Sequence, residues 1–201
     1  DEASEYAFIE NSYPQNIKTV DISNHENLIQ VGTFSGNDGI DCHDIYTRGD
    51  FAYVSEGWSN QFSIYDISDI SDPISLASIS VIGYAHNAWL NDGGTHLITT
   101  EETDLITVKI WDIQDLDNIN LVGDYLGENN LDHNVHVMDD QLIISHYTTG
   151  VKIVDIFDPE NPVEVAAYDT YPTNDYTGYY GCWGAYPYTQ NEMLYASDMQ
   201  N

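Results

Sequence analysis

The chain is written in short runs that alternate apolar and polar side chains, and no stretch repeats its apolar residues at helical spacing. Residues 43–47 (HDIYT), 51–55 (FAYVS), 62–68 (FSIYDIS) and 74–80 (ISLASIS) each put their apolar groups on alternate positions of an extended segment. Turn-forming text separates them at 48–50 (RGD), 57–60 (GWSN) and 69–73 (DISDP). Alternation bounded by Gly, Asp, Asn and Pro predicts β-strands joined by tight turns. The next stretch repeats the design with HNAWL at 86–90, NDGG at 91–94, HLITT at 96–100, VKIWDIQ at 108–114 and NLVGDYL at 120–126. A third version runs HNVHV at 133–137, QLIIS at 141–145, VKIVDIF at 151–157 and VEVAAYD at 163–169.

One phrase closes the third run of every unit, beginning with IKTVDIS at 17–23. Its aspartates, Asp21, Asp66, Asp112 and Asp155, stand 45, 46 and 43 residues apart. Four short strands on a period in the forties predict an all-β fold, a β-propeller built of four-stranded antiparallel blades. The chain reads as one domain of about four to five such blades, with repeats at approximately 1–36, 42–80, 85–127, 132–169 and an incomplete 181–201. Residues 5–11 (EYAFIEN) read as a second strand with no first strand before it, so part of a longer propeller is expected. The recurring aspartates have a structural job on this reading, tying down turns by side-chain-to-backbone hydrogen bonds.

Composition narrows the partners. With 34 acidic and only 4 basic side chains the formal net charge is −30, which repels nucleic acid and anionic membranes. A content of 42% hydrophobic and 12% aromatic residues is too high for an acidic disordered chain. No run is long enough for a membrane-spanning helix, and no leader peptide is visible at residues 1–4. Two cysteines, Cys42 and Cys182, permit one disulfide without requiring it.

The recurring phrases IKTVDIS, FSIYDIS, VKIWDIQ and VKIVDIF are similar to the LVIVD repeats of bacterial and archaeal surface proteins. The second half resembles the choice-of-anchor B family more closely, through YAHNAWLNDGG at 84–94, LDHNVHV at 131–137, GVKIVDIFDPENPVEVAAYDTYP at 150–172 and GCWGAYPY at 181–188. That resemblance implies an exported propeller held at a cell surface. It carries no catalytic residue set.

Stacking the repeats suggests chemistry. First strands open with His43-Asp44, His86-Asn87, His133-Asn134 and Trp183-Gly184, while second strands end at Glu10, Glu56, Glu101, His146 and Asp198. In a propeller these positions meet at one end of the central channel. His43, Glu56, His86, Glu101, His133, His146 and Asp198 are therefore candidate ligands of a divalent cation, calcium or a transition metal such as zinc. Asp44, Glu102 and Asp132 are candidate outer partners that fix ring tautomers. Trp183, Asn87, Asn134 and His136 are candidate ligand-binding residues, and the Trp and Tyr faces suit sugar rings. The structural reading of the same residues is that each His-Asn pair hydrogen-bonds the crossover between blades, and that the aromatics pack the core. No nucleophile motif and no organic-cofactor motif is present.

The expectation is an extracellular or cell-surface binding or scaffold module, with carbohydrate or other surface proteins as partners. Two rivals stand beside it. One is a metal-dependent hydrolase or lyase acting on polysaccharide or ester; the other is a carbohydrate-binding module or subunit of an extracellular filament or layer.

Overall fold

The computed structural model describes residues 5–12, 15–35, 41–128, 131–174, 176–191 and 193–200. Residues 1–4, on which the leader-peptide reading rests, the borders of the first repeat at 36–40, and Asn201 lie outside the described residues. Among the described residues there are strands and no helix, and no helix is long and apolar enough to cross a membrane.

The chain divides into two compact units, Asp1–Ala85 and His86–Asn201. In the first, β1 (Tyr6–Ser12), β2 (Gln15–Asp21) and β3 (Ile29–Phe34) make a three-stranded sheet. Beside it in sequence, β4 (Asp44–Arg48), β5 (Phe51–Ser55), β6 (Gln61–Asp66) and β7 (Ile74–Ser80) make a four-stranded one in chain order. The second unit holds most of β8 (Ala85–Leu90), with β9 (His96–Glu101), β10 (Val108–Asp112) and β11 (Asn120–Tyr125), again in chain order. It continues with β12 (Asn134–Met138), β13 (Gln141–Ser145), β14 (Val151–Asp155) and β15 (Val163–Tyr168), and with the pair β16 (Cys182–Tyr186) and β17 (Tyr195–Asp198). The recorded pairings are all antiparallel meanders.

In each four-stranded sheet burial is lowest in the last strand. β5 and β13 are buried at every position but the first, whereas β15 is exposed throughout and β7 nearly so. Outer strands therefore contribute hydrogen bonds and little core. Adjacent sheets of one unit are joined by apolar clusters instead, such as Ile98, Ile110, Val135, Leu142 and Ile144 in the second unit. Each such side chain, fully buried, contributes roughly 1.5–3 kcal/mol.

The repeated aspartates act as expected. Asp21, Asp66, Asp112 and Asp155 each accept a hydrogen bond through Oδ1 from the backbone N–H two residues on, at 2.9, 2.8, 3.0 and 2.8 Å. Asp69, Asp115 and Asp158 make the same bond one step later, so each phrase ends in two consecutive side-chain-closed turns. Bonds from Ser23 and Ser68 hold the Asp21 and Asp66 carboxyls below the usual carboxylate range.

A second regularity is invisible in the residue types. The third and fourth strands shift register at one repeat position, between Thr19/Val20, Ile64/Tyr65, Ile110/Trp111 and Ile153/Val154. The fourth strand carries an extra residue there each time: Val31, Leu76, Val122 and Val165. A bulge raises local twist, and it brings Gly123 of β11 so close to the Pro159 carbonyl that a Cβ would overlap it.

Candidate metal centre

Three strand ends of the second unit converge on one place. His86 is the second residue of β8 and 5% exposed; His133 immediately precedes β12 and is 3% exposed. Glu102 follows the last residue of β9. One ligand atom of each lies within 4.8 Å of the others. His86 Nε2 is 3.6 Å from Glu102 Oε2, His133 Nε2 is 4.0 Å from Glu102 Oε1, and the imidazole centroids are 4.3 Å apart. Such separations are too long for direct hydrogen bonds. Two ligands on one tetrahedral ion, at 2.0–2.2 Å bonds, sit about 3.3 Å apart, so a small inward movement would seat one.

The supporting contacts orient these groups. His133 Nδ1–H donates to the Trp183 carbonyl at 2.5 Å, because a carbonyl can only accept. A neutral ring then carries its lone pair on Nε2, the nitrogen facing Glu102. The His133 carbonyl accepts from Thr100 Oγ1 at 2.7 Å, and its N–H donates to the Ser145 carbonyl at 2.9 Å. Tyr147, fully buried, donates its hydroxyl to Glu102 Oε1. It does so from a left-handed backbone (φ 39°), a conformation that a bulky side chain adopts only when its surroundings compel it. A backbone bridge helps compel it: Cys182 N–H donates to the Tyr147 carbonyl at 2.9 Å.

Glu101, expected beside the imidazoles, is turned away from them. Lys109 Nζ of β10 donates to Glu101 Oε1, and Glu101 is wholly buried. Successive side chains of an extended segment point to opposite sides, so the residue one step on, Glu102, reaches the imidazoles. The repeat alignment gives Glu102 only an outer role, and the tautomer-fixing partner of His133 is a backbone carbonyl rather than a carboxylate. Asp132 lies buried with its carboxyl pushed up to about 8, by burial first; Lys109 lowers it and Glu101 raises it.

The other candidates of this unit have other surroundings. His146 is buried, shares a 2.8 Å hydrogen bond with Thr149 Oγ1, and is held down to about 4 by burial. His136 sits among Trp89, Tyr186 and Tyr188, also held down to about 4 by burial. Asn87 Oδ1 accepts from the Val135 N–H of β12 at 3.0 Å, a bond to the first strand of the next sheet rather than to a crossover. Ser145 Oγ meets the Asn134 backbone. Asp198 pairs opposite Cys182 in the β16–β17 ladder and accepts from the Gln200 N–H at 2.8 Å. Trp183 packs against His133 at 4.4 Å yet is 47% exposed.

In the first unit, His43 Nδ1 meets the Tyr84 hydroxyl at 2.9 Å, and buried Glu56 accepts from Gln61 Nε2 at 3.2 Å. Cys42 and Cys182 are both buried and are not joined in a disulfide, and burial pushes the Cys182 thiol up to about 12.

The LVIVD repeat model matches residues 40–81 and 133–170, so the chain carries LVIVD repeats. No curated protein matches it in sequence. A solved structure of a protein from Lactobacillus plantarum matches with a TM-score of 0.77 at 12% identity, covering 98% of this chain and 62% of that one. A putative 6-phosphogluconolactonase from Bacteroides uniformis matches at 0.74 and 11%, covering 96% and 60%. The periplasmic gluconolactonase of Pseudomonas aeruginosa matches at 0.69 and 10%, covering 82% and 51%. The chain thus spans less than two thirds of the length of these structures. At such identities the likeness concerns the fold, and the fold is a β-propeller.

Proposed function

We propose that this chain belongs to an exported, extracellular or cell-surface binding propeller of the choice-of-anchor B kind, and that His86, Glu102 and His133 hold a divalent transition-metal ion of the zinc class. The observation carrying this is the convergence of two imidazole nitrogens and a carboxylate from three strand ends, with the His133 tautomer set by the Trp183 carbonyl. Two nitrogens among three donors favour zinc and its neighbours over calcium, which takes oxygen ligands. The LVIVD repeats and the net charge of −30 support the exported, surface-facing setting. An ion there supplies a positive centre with positions left for an incoming ligand. Glu102 neutralises part of its charge, Tyr147 steadies Glu102, and the two rings contribute neutral nitrogen donors.

Elemental analysis of the purified chain, paired with thermal unfolding before and after a chelator, tests this. One equivalent of zinc is expected, and about 2.7 kcal/mol of stabilisation at a hundredfold excess over the dissociation constant. Glu102→Gln should weaken zinc at least tenfold while leaving the metal-free melting point in place, since its side chain is only partly buried. No stoichiometric metal and a melting point indifferent to chelator would end the reading.

A second reading is a metal-dependent hydrolase of esters or lactones. Two histidines and one glutamate with room for water are the donors of hydrolytic zinc sites, and of the matched structures one is named a putative 6-phosphogluconolactonase and another a periplasmic gluconolactonase. Hydrolysis of gluconolactone by the zinc-loaded chain, lost on chelation, is its expected signature; a rate equal to buffer alone dismisses it.

A further inference from the structure

The metal-ligand group has a conspicuous neighbour. Trp183 lays one side of its indole near His133, 4.4 Å between centroids, and leaves about half of itself open, at 47% exposure. Tyr179 stands edge-on to Tyr147 at 5.3 Å and is 55% exposed. Its hydroxyl is shifted up by burial and then by the charges of Glu102 and Asp104. Behind both, fully buried Tyr147 lies edge-on to Trp183 at 6.2 Å. Two exposed aromatic rings therefore stand against Tyr147, the residue that donates its hydroxyl to the carboxylate shared by the two imidazoles.

We propose that this wall is a subsite for a neutral pyranose, whose apolar ring face rests on Trp183 while adjacent hydroxyls turn toward the ion held by His86, Glu102 and His133. The inference rests on the metal reading above and adds the ligand class. An aromatic face takes up the C–H side of a sugar ring, and the half-exposed Tyr179 offers a hydroxyl that a purely apolar ligand would not answer. Charge decides between sugars: at −30 the protein repels uronates and sugar phosphates, so the ligand is uncharged. The geometry also assigns parts. Trp183 provides contact area, Tyr179 a hydrogen bond to a ring hydroxyl, and the ion a contact with oxygen.

The test uses the full chain, zinc-loaded and chelated, titrated calorimetrically with the methyl glycosides of glucose, galactose, mannose and N-acetylglucosamine, and with glucuronate. At least one neutral glycoside should saturate the zinc-loaded chain and quench tryptophan fluorescence. Removing zinc should weaken it tenfold or more, and glucuronate should bind more weakly than glucose. Trp183→Ala should abolish glycoside binding and Trp183→Tyr should restore part of it, while Tyr179→Phe should weaken it with zinc stoichiometry unchanged, which certifies folding. Zinc binding with none of the four glycosides saturating overturns the sugar subsite and leaves the metal reading standing. Failure to bind zinc overturns both.

Discussion

The charged residues of the interior show how few cations an acidic chain needs when each is well placed. Three of the four basic residues, Lys18, Lys109 and Lys152, occupy one repeat position, three before the phrase aspartate. Lys109 neutralises buried Glu101, and Lys152 lies 3.9 Å from Glu164. Lys109→Met should cost about 3–5 kcal/mol in urea unfolding, since it strands Glu101, while the double variant Lys109→Met/Glu101→Leu should recover most of that. The buried histidines carry a pH signature of definite sign. His136 and His146 titrate near 4 when folded, below the ordinary 6.5, so the folded state binds fewer protons between those values. Their contribution is complete above pH 6.5 and is lost as pH falls toward 4. Asp132, raised to about 8, acts in the opposite sense, so a difference experiment isolates the effect. His136→Phe should lose less stability than the parent between pH 6.5 and 4, compared by chemical denaturation at matched ionic strength.

At the scale of the element, the fourth strand carries information that residue type conceals. Alternation alone predicts a plain strand for NLVGDYL, yet Val122 is an extra residue and Gly123 sits against the Pro159 carbonyl. A bulge depends on register with the neighbouring strand, and register is a property of a pair. Gly123→Ala should destabilise the chain by about 1–3 kcal/mol through backbone overlap, whereas alanine at neighbouring Asp124, which is exposed, should move the midpoint little. Urea midpoints of the two variants read this directly. Strand existence and order were legible from period and turn residues, because those depend only on neighbours in the chain.

Across the whole molecule, 34 carboxylates against 4 cations make self-repulsion the largest long-range force. Raising sodium chloride from about 0.05 to 1 M shortens the screening length to about 3 Å and should raise the melting temperature. A melting point that falls or stays flat would show that local pairs outweigh the overall field. Zinc, if bound, should act beyond this screening effect, since it is held by specific donors rather than by mean charge.

The amino-acid order on its own determined that the chain is β, that its unit is four strands long, and that aspartate closes each turn, because alternation and turn chemistry act over a few residues. It also put His43, His86 and His133 at one point of the repeat, without choosing among them. Only the tertiary structure decided that Glu102 rather than Glu101 stands with His86 and His133. That choice depends on which side of β9 the Lys109 ammonium occupies, and on how the strained Tyr147 backbone and the Trp183 carbonyl pack against two different sheets.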